Sequence, residues 1–311
     1  MKKYFQEATH TFNENRGLFL SISLVLGIIL GLATFVGLTT GTIILIIFLL
    51  LPFVVSIYAL CMKAGDNREV INKDLYFGFK NFLTSVSLAT KMLVKPILIG
   101  ILIWFLISSV GYSCVLFYLQ KINDPIFTII ESGNMEEIMK AMTKLVTSNP
   151  WFVVINYVSM AASFIVGFNI YIKRTFAPFV CFETTFTLDS AKKISINLNK
   201  QSKNYRLMNN LFLIMYIVLF AIMELLSTLF YNINVNFSIM FLIDVLVVFI
   251  LMAPLILLHT LANFHYYDDN HRENIKRLYK EYLNVASRTT DSKMIDEEFK
   301  KSDENNESKS E

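Results

Sequence analysis

Long apolar runs separated by short polar stretches set the pattern of this chain. Runs at Gly17–Leu38, Gly41–Met62, Val94–Leu119, Trp151–Ile172, Leu211–Tyr231 and Phe237–Asn263 are each long enough to cross a hydrocarbon layer as a helix, because about 20 apolar residues span roughly 30 Å. Lipid offers no hydrogen bonds to a backbone, so a run of this kind satisfies its own amides by coiling. The first run is longer than the apolar part of a signal peptide, and no small-x-small cleavage site follows it, so it reads as a retained span.

Between the runs the period changes from continuous to amphipathic. Phe5, Ala8 and Phe12 share one helical face, as do Leu75, Phe79, Phe82, Leu83 and Val86, and later Ala191, Ile194 and Leu198. Asn72 or Asp74 can cap the second of these segments and Asp189 the third. The pattern predicts an all-α polytopic membrane protein with six transmembrane helices as three hairpins, each preceded by a cytoplasmic interfacial amphipathic helix. It divides into an interfacial segment over 1–16, a membrane domain over 17–270 and a polar tail over 271–311, disordered beyond about Ala286. Pro52, Pro178 and Pro254 stand in similar places in apolar runs leading to the same side, where each is expected to kink its helix. Between Gln120 and Pro150, Met135, Ile138, Met139 and Met142 make a further apolar stripe, read as an outer interfacial helix or a lid.

Composition agrees with the pattern. The chain of 311 residues is 54% hydrophobic and 17% charged, against about 25% charged in soluble domains. Of its 28 lysines and arginines only Lys121, Lys140 and Lys144 fall on one side of the predicted spans, which places the N- and C-termini in the cytoplasm of a plasma-membrane protein. A net charge of +3, spread over loops that face anionic headgroups, indicates no nucleic-acid partner. Cys61, Cys114 and Cys181 lack the spacing of a zinc site or a disulfide framework.

Polar residues inside apolar runs are the candidates for chemistry. Glu224 and Asp244 lie at similar depth on either side of one tight turn. Charge is expensive there, so they either form one proton- or cation-binding site or act as neutral structural glue. Asn156, Ser159 and Ser163, with Ser227 and Thr228, form polar stripes facing the bundle interior, and Ser23, Gly27 and Gly31 form a helix-packing seam. His265, Asp268, Asp269 and His271 gather possible metal ligands, but their spacing suits a juxtamembrane polar cap better, so no metal is expected. HExxH, GxSxG and phosphate-loop motifs are absent, so neither catalytic residues nor a cofactor is expected.

The stretches DLYFGFKNFLTSVSLATK and FETTFTLDSAKKISINLNKQSKNYRLMNNLFLI resemble the cytoplasmic loops of uncharacterised bacterial six-span proteins. Those are similar to the membrane domain that accompanies some glycerophosphodiester phosphodiesterases. The matching positions are Asp189, Ser190, Ala191, Ser202 and Lys203, while the glycine that often follows them is missing from NYRLMNN. The resemblance implies no catalytic residues. The resulting expectation is a non-enzymatic protein of envelope or lipid homeostasis, or a subunit of a transport system. Its partners would be membrane lipids, and possible further ones are a membrane protein, an ATPase subunit or a second copy. The alternative is a proton- or cation-coupled transporter or channel using Glu224 and Asp244.

Overall fold

The computed structural model describes residues 2–36, 46–121, 135, 137–138, 149–199, 203–232 and 246–284; for a few residues within these ranges, Glu224, Ser227 and Thr228 among them, only the backbone is described. All regular elements among the described residues are helical. In chain order they are α1 (Lys2–Glu14), α2 (Arg16–Val36), α3 (Leu51–Gly65), α4 (Phe77–Lys80), α5 (Phe82–Lys121), α6 (Pro150–Ile172), α7 (Ala177–Glu183), α8 (Leu188–Asn199), α9 (Lys203–Asn232) and α10 (Ala253–Asn270). A last helix, α11, covers 272–284. The connection read as an outer interfacial helix or a lid, apart from residues 135, 137 and 138, and the tail beyond 284 lie outside the described residues.

Among the described residues, five helical stretches are long and apolar enough to cross a membrane: Phe48–Gly65, Phe82–Lys121, Pro150–Glu183, Lys203–Ile222 and Phe249–Asn270. Arg16–Ile29 is a shorter apolar helix. The chain is therefore a multi-pass membrane protein. Its outward faces fit that reading, since Leu98, Phe105 and Val110 on α5 are at least 60% exposed and are compatible with lipid rather than water. The core lies where α3 and α10 pack beside α7, around Tyr58, Phe179, Phe264 and Tyr267.

The amphipathic segment expected before the second hairpin does not end where the span was expected to begin. From Phe82 it runs without a break into α5, a helix of 40 residues. At 1.5 Å per residue this is about 60 Å, twice the hydrocarbon thickness, so α5 projects beyond the apolar layer. Pro96 lies inside it. Tertiary contacts flank it on both sides: Arg174 Nη1 donates to the Lys91 carbonyl (2.7 Å), and Ser163 Oγ on α6 donates to the Gly100 carbonyl (2.8 Å).

Pro52, Pro178 and Pro254 coincide with irregular turns. π-helical turns at Ile46–Leu50 and Val248–Met252 run directly into α3 and α10, whose second residues are Pro52 and Pro254. A π turn widens the ring of the backbone bond and so makes room for a residue that lacks an N–H and crowds the preceding turn. Before Pro178 the chain leaves the helix altogether, in a turn over 173–176.

Two of the amphipathic segments dock near these breaks, and the third lies along the far end of α10. The α4 segment lies on α3, where the Gly78 amide donates to Ser56 Oγ (2.9 Å) and Ser56 Oγ donates to the Pro52 carbonyl (3.2 Å). Helix α8 covers the turn at 173–176: Ser195 Oγ accepts from the Phe176 amide (3.1 Å) and donates to the Lys173 carbonyl (3.1 Å). Helix α1 lies along α10 through Thr11–His265, Lys3–Asp269 and Tyr4–Asn270. These segments are thus packed against protein rather than lying free on the membrane surface.

At Gly78 an added Cβ would stand 1.9 Å from the Pro52 carbonyl oxygen, whereas one at Gly17 would meet nothing within 4 Å. Gly78→Ala is expected to destabilise the detergent-solubilised protein by about 3 kcal/mol or more, at the upper end of overpacking effects, and Gly17→Ala to leave it unchanged. Thermal unfolding followed by circular dichroism checks the pair.

Candidate functional site

Three acids reach one place from three helices. Asp66 follows the C-terminus of α3, Glu183 ends α7, and Asp268 lies near the end of α10. Between them sits Arg272 at the start of α11. Its Nη1 and Nη2 make a two-pronged contact with Asp66 at 2.5 and 3.0 Å, Nη1 also reaches Asp268 at 2.8 Å, and Nε bonds Glu183. Tyr267 donates its hydroxyl to the other Glu183 oxygen (2.9 Å). The Glu183 side chain is only 4% exposed and that of Asp66 9%. Buried carboxylates of this kind demand a charged partner, and a guanidinium supplies donors in a planar fork that matches them. The hydrogen bond to Asp66, above all, holds the Arg272 guanidinium above its ordinary pKa despite partial burial, so it is charged at any ordinary pH.

The turn after α3 shapes the mouth of a pocket next to this cluster. The Arg68 amide bonds the Lys63 carbonyl and the Asn67 amide the Ala64 carbonyl, both at 3.0 Å, with Asn67 at φ 54°. This paired closure ends a helix with one left-handed residue, a conformation that asparagine tolerates better than most. It sets Asp66 and Arg68 side by side, with Arg68 Nη2 2.7 Å from Asp66 Oδ2. Opposite, Lys63 Nζ meets Asp74 Oδ1 at 2.5 Å, while Asp74 Oδ2 accepts from the Ile71 amide at 3.0 Å. The pocket holds about 380 Å³. Its rim is ionic, and its floor is built from Val55, Phe77, Leu88, Phe182 and Leu188 of the membrane helices and their flanks.

A second opening is apolar. Ile101 and Trp104 of α5, Tyr157 and Phe164 of α6 and Phe220 of α9 line a groove of about 550 Å³ among the membrane helices.

The residues singled out from sequence are distributed differently. Asp244, and all but the backbone of Glu224, Ser227, Thr228 and Gly31, lie outside the described residues. Ser159 is fully buried in the seam between α5 and α6, accepting from Ser108 (2.8 Å) and donating to the Asn156 carbonyl (2.9 Å). Ser163 bonds the same neighbouring helix, so this stripe joins α6 to α5. Ser23 is buried and bonds its own helix at Phe19, with Gly27 buried beside it. His265, Asp268, Asp269 and His271 do not converge: they turn to Thr11, Arg272, Lys3 and the ring of Phe176 respectively. Among the described residues no three His, Cys, Asp or Glu side chains are arranged to hold a metal.

Comparison with protein-family models, with curated proteins and with solved structures finds no match to this chain. The site therefore stands on its own geometry.

Sequence reasoning did not single out Asp66, Glu183 and Arg272. A signal was present, since Pro52 precedes Asp66 by the same interval as Pro254 precedes Asp268. Reading on from the prolines to the first acid would have reached Glu183 as well.

Arg272→Ala leaves the buried Glu183 with only the Tyr267 hydroxyl and Asp66 with only the exposed Arg68. It is expected to lower stability by about 3–5 kcal/mol, seen as a fall in the thermal unfolding midpoint, and Arg272→Lys to recover only part because one ammonium cannot serve three acids.

Proposed function

We propose that this chain is a non-catalytic, lipid-binding protein of the bacterial plasma membrane, acting in membrane or envelope lipid homeostasis. In this reading it has six spans in three hairpins, with both termini cytoplasmic. The pocket beside Asp66 carries the proposal. Its floor comes from apolar side chains of helices compatible with lipid, and its rim holds Lys63, Asp66, Arg68 and Asp74, so one cavity offers each part of an amphiphile its preferred surroundings. Basic residues concentrate at that end, which accords with an inner leaflet rich in anionic headgroups. The apolar groove among α5, α6 and α9 is a second surface suited to acyl chains.

Thr84 is exposed and lines the pocket, so an indole there fills the space without entering the core. Thr84→Trp is expected to abolish phospholipid retained through gentle purification, read by native mass spectrometry, with the unfolding midpoint unchanged. Equal retention by both proteins would sink the proposal.

A further inference from the structure

The charge arrangement at the same pocket names the class of headgroup it takes. We infer that it selects a phosphate joined to a primary amine, the headgroup chemistry of an aminophospholipid. This inference rests on the pocket binding a lipid at all.

The rim carries two cations and two carboxylates, already matched as Lys63–Asp74 and Arg68–Asp66. Behind it, Arg272 adds one cation while Glu183 and Asp268 add two carboxylates. Three cations therefore face four acids, and a purely anionic headgroup would enter a region with no surplus of positive charge. A headgroup carrying both signs behaves differently. Its phosphate takes Lys63 and Arg68, its ammonium takes the Asp74 oxygen that Lys63 leaves, and every charge keeps a partner.

Particular groups favour this exchange. Asp74 is held in place by the Ile71 amide and is only 16% exposed, so it presents a fixed acceptor to a donor with three N–H bonds. Asp66 keeps both prongs of Arg272, so the 60% exposed Arg68 can turn to a phosphate without stranding a buried carboxylate. A quaternary ammonium cannot donate a hydrogen bond to Asp74, which separates an ethanolamine head from a choline head. Below the rim, Phe77 and Phe182 meet edge to face with centroids 5.4 Å apart, forming an apolar shelf for the glycerol end.

The test uses the full chain, delipidated in detergent and titrated with phosphatidylethanolamine, phosphatidylglycerol and phosphatidylcholine of identical acyl chains, with free O-phosphoethanolamine as competitor. Native mass spectrometry gives the occupancies. The expected result is at least tenfold preference for phosphatidylethanolamine over the other two. Asp74→Asn should erase that preference by weakening phosphatidylethanolamine about tenfold and leaving phosphatidylglycerol equal or stronger. Asp74→Glu should restore it, and Arg68→Gln should weaken every phospholipid. Unfolding midpoints of the variants show that the comparison is between folded proteins. Equal binding of all three lipids overturns the headgroup inference and leaves lipid binding standing. Binding of none overturns both. Full displacement by free O-phosphoethanolamine at the lipid's own concentration upholds the headgroup chemistry and overturns the lipid as its source.

Discussion

Backbone groups released at a proline must find partners within the protein, because the surrounding hydrocarbon supplies none. Much of the architecture follows from that constraint. The π turns before Pro52 and Pro254 keep those helices continuous while making room for the ring. Before Pro178 a serine from another segment meets the interrupted backbone, with Ser195 Oγ accepting from the Phe176 amide and donating to the Lys173 carbonyl, while Ser56 Oγ accepts from the Gly78 amide at the start of α4 and back-bonds the Pro52 carbonyl of its own helix. Those hydroxyls link an amphipathic segment to a membrane helix. Docking of α8 is thus part of how the helix interrupted before Pro178 is satisfied, and docking of α4 satisfies an amide of that segment's own first turn.

The helices that continue past the prolines end in acids, and Arg272 ties those ends together. An ion cluster of this kind adds less net stability than its contacts suggest, because removing the charges from water opposes their attraction. Its consequence is positional. With Asp66 fixed by a two-pronged contact, the turn after α3 holds one orientation, and Arg68 and Lys63 face Asp74 across the pocket.

How much of this was legible in the sequence depends on distance along the chain. Apolar runs and amphipathic faces are local properties, and the helices they predict over Trp151–Ile172 and Leu211–Tyr231 correspond closely to α6 and to part of α9. The boundary expected at Val94 was illegible, because the polar residues before it continue the same helix and its flanking carbonyls at Lys91 and Gly100 are met by Arg174 and Ser163, more than sixty residues away. Asp66 and Arg272 lie 206 residues apart, and neither stands in an apolar run where a charge would attract notice. Glu224 and Asp244 attract notice for that very reason. The described site instead gathers acids that look like ordinary loop residues until the helices bring them together.

The position of the pocket has its own explanation in the docked segments. Helix α1 has 13 residues and α8 has 12, and each covers the surface it meets with a full amphipathic face. The segment docked on α3 consists of one 3-10 turn at Asn72–Tyr76 and the four-residue α4, which ends at Asn81 before α5 departs. A cover that short reaches the Pro52 carbonyl through Gly78 but leaves the far end of α3 unoccupied between Met62, Asp74 and Leu88. The same docking device that seals two surfaces of the bundle therefore leaves, at the third, an opening lined by charge above and hydrocarbon below.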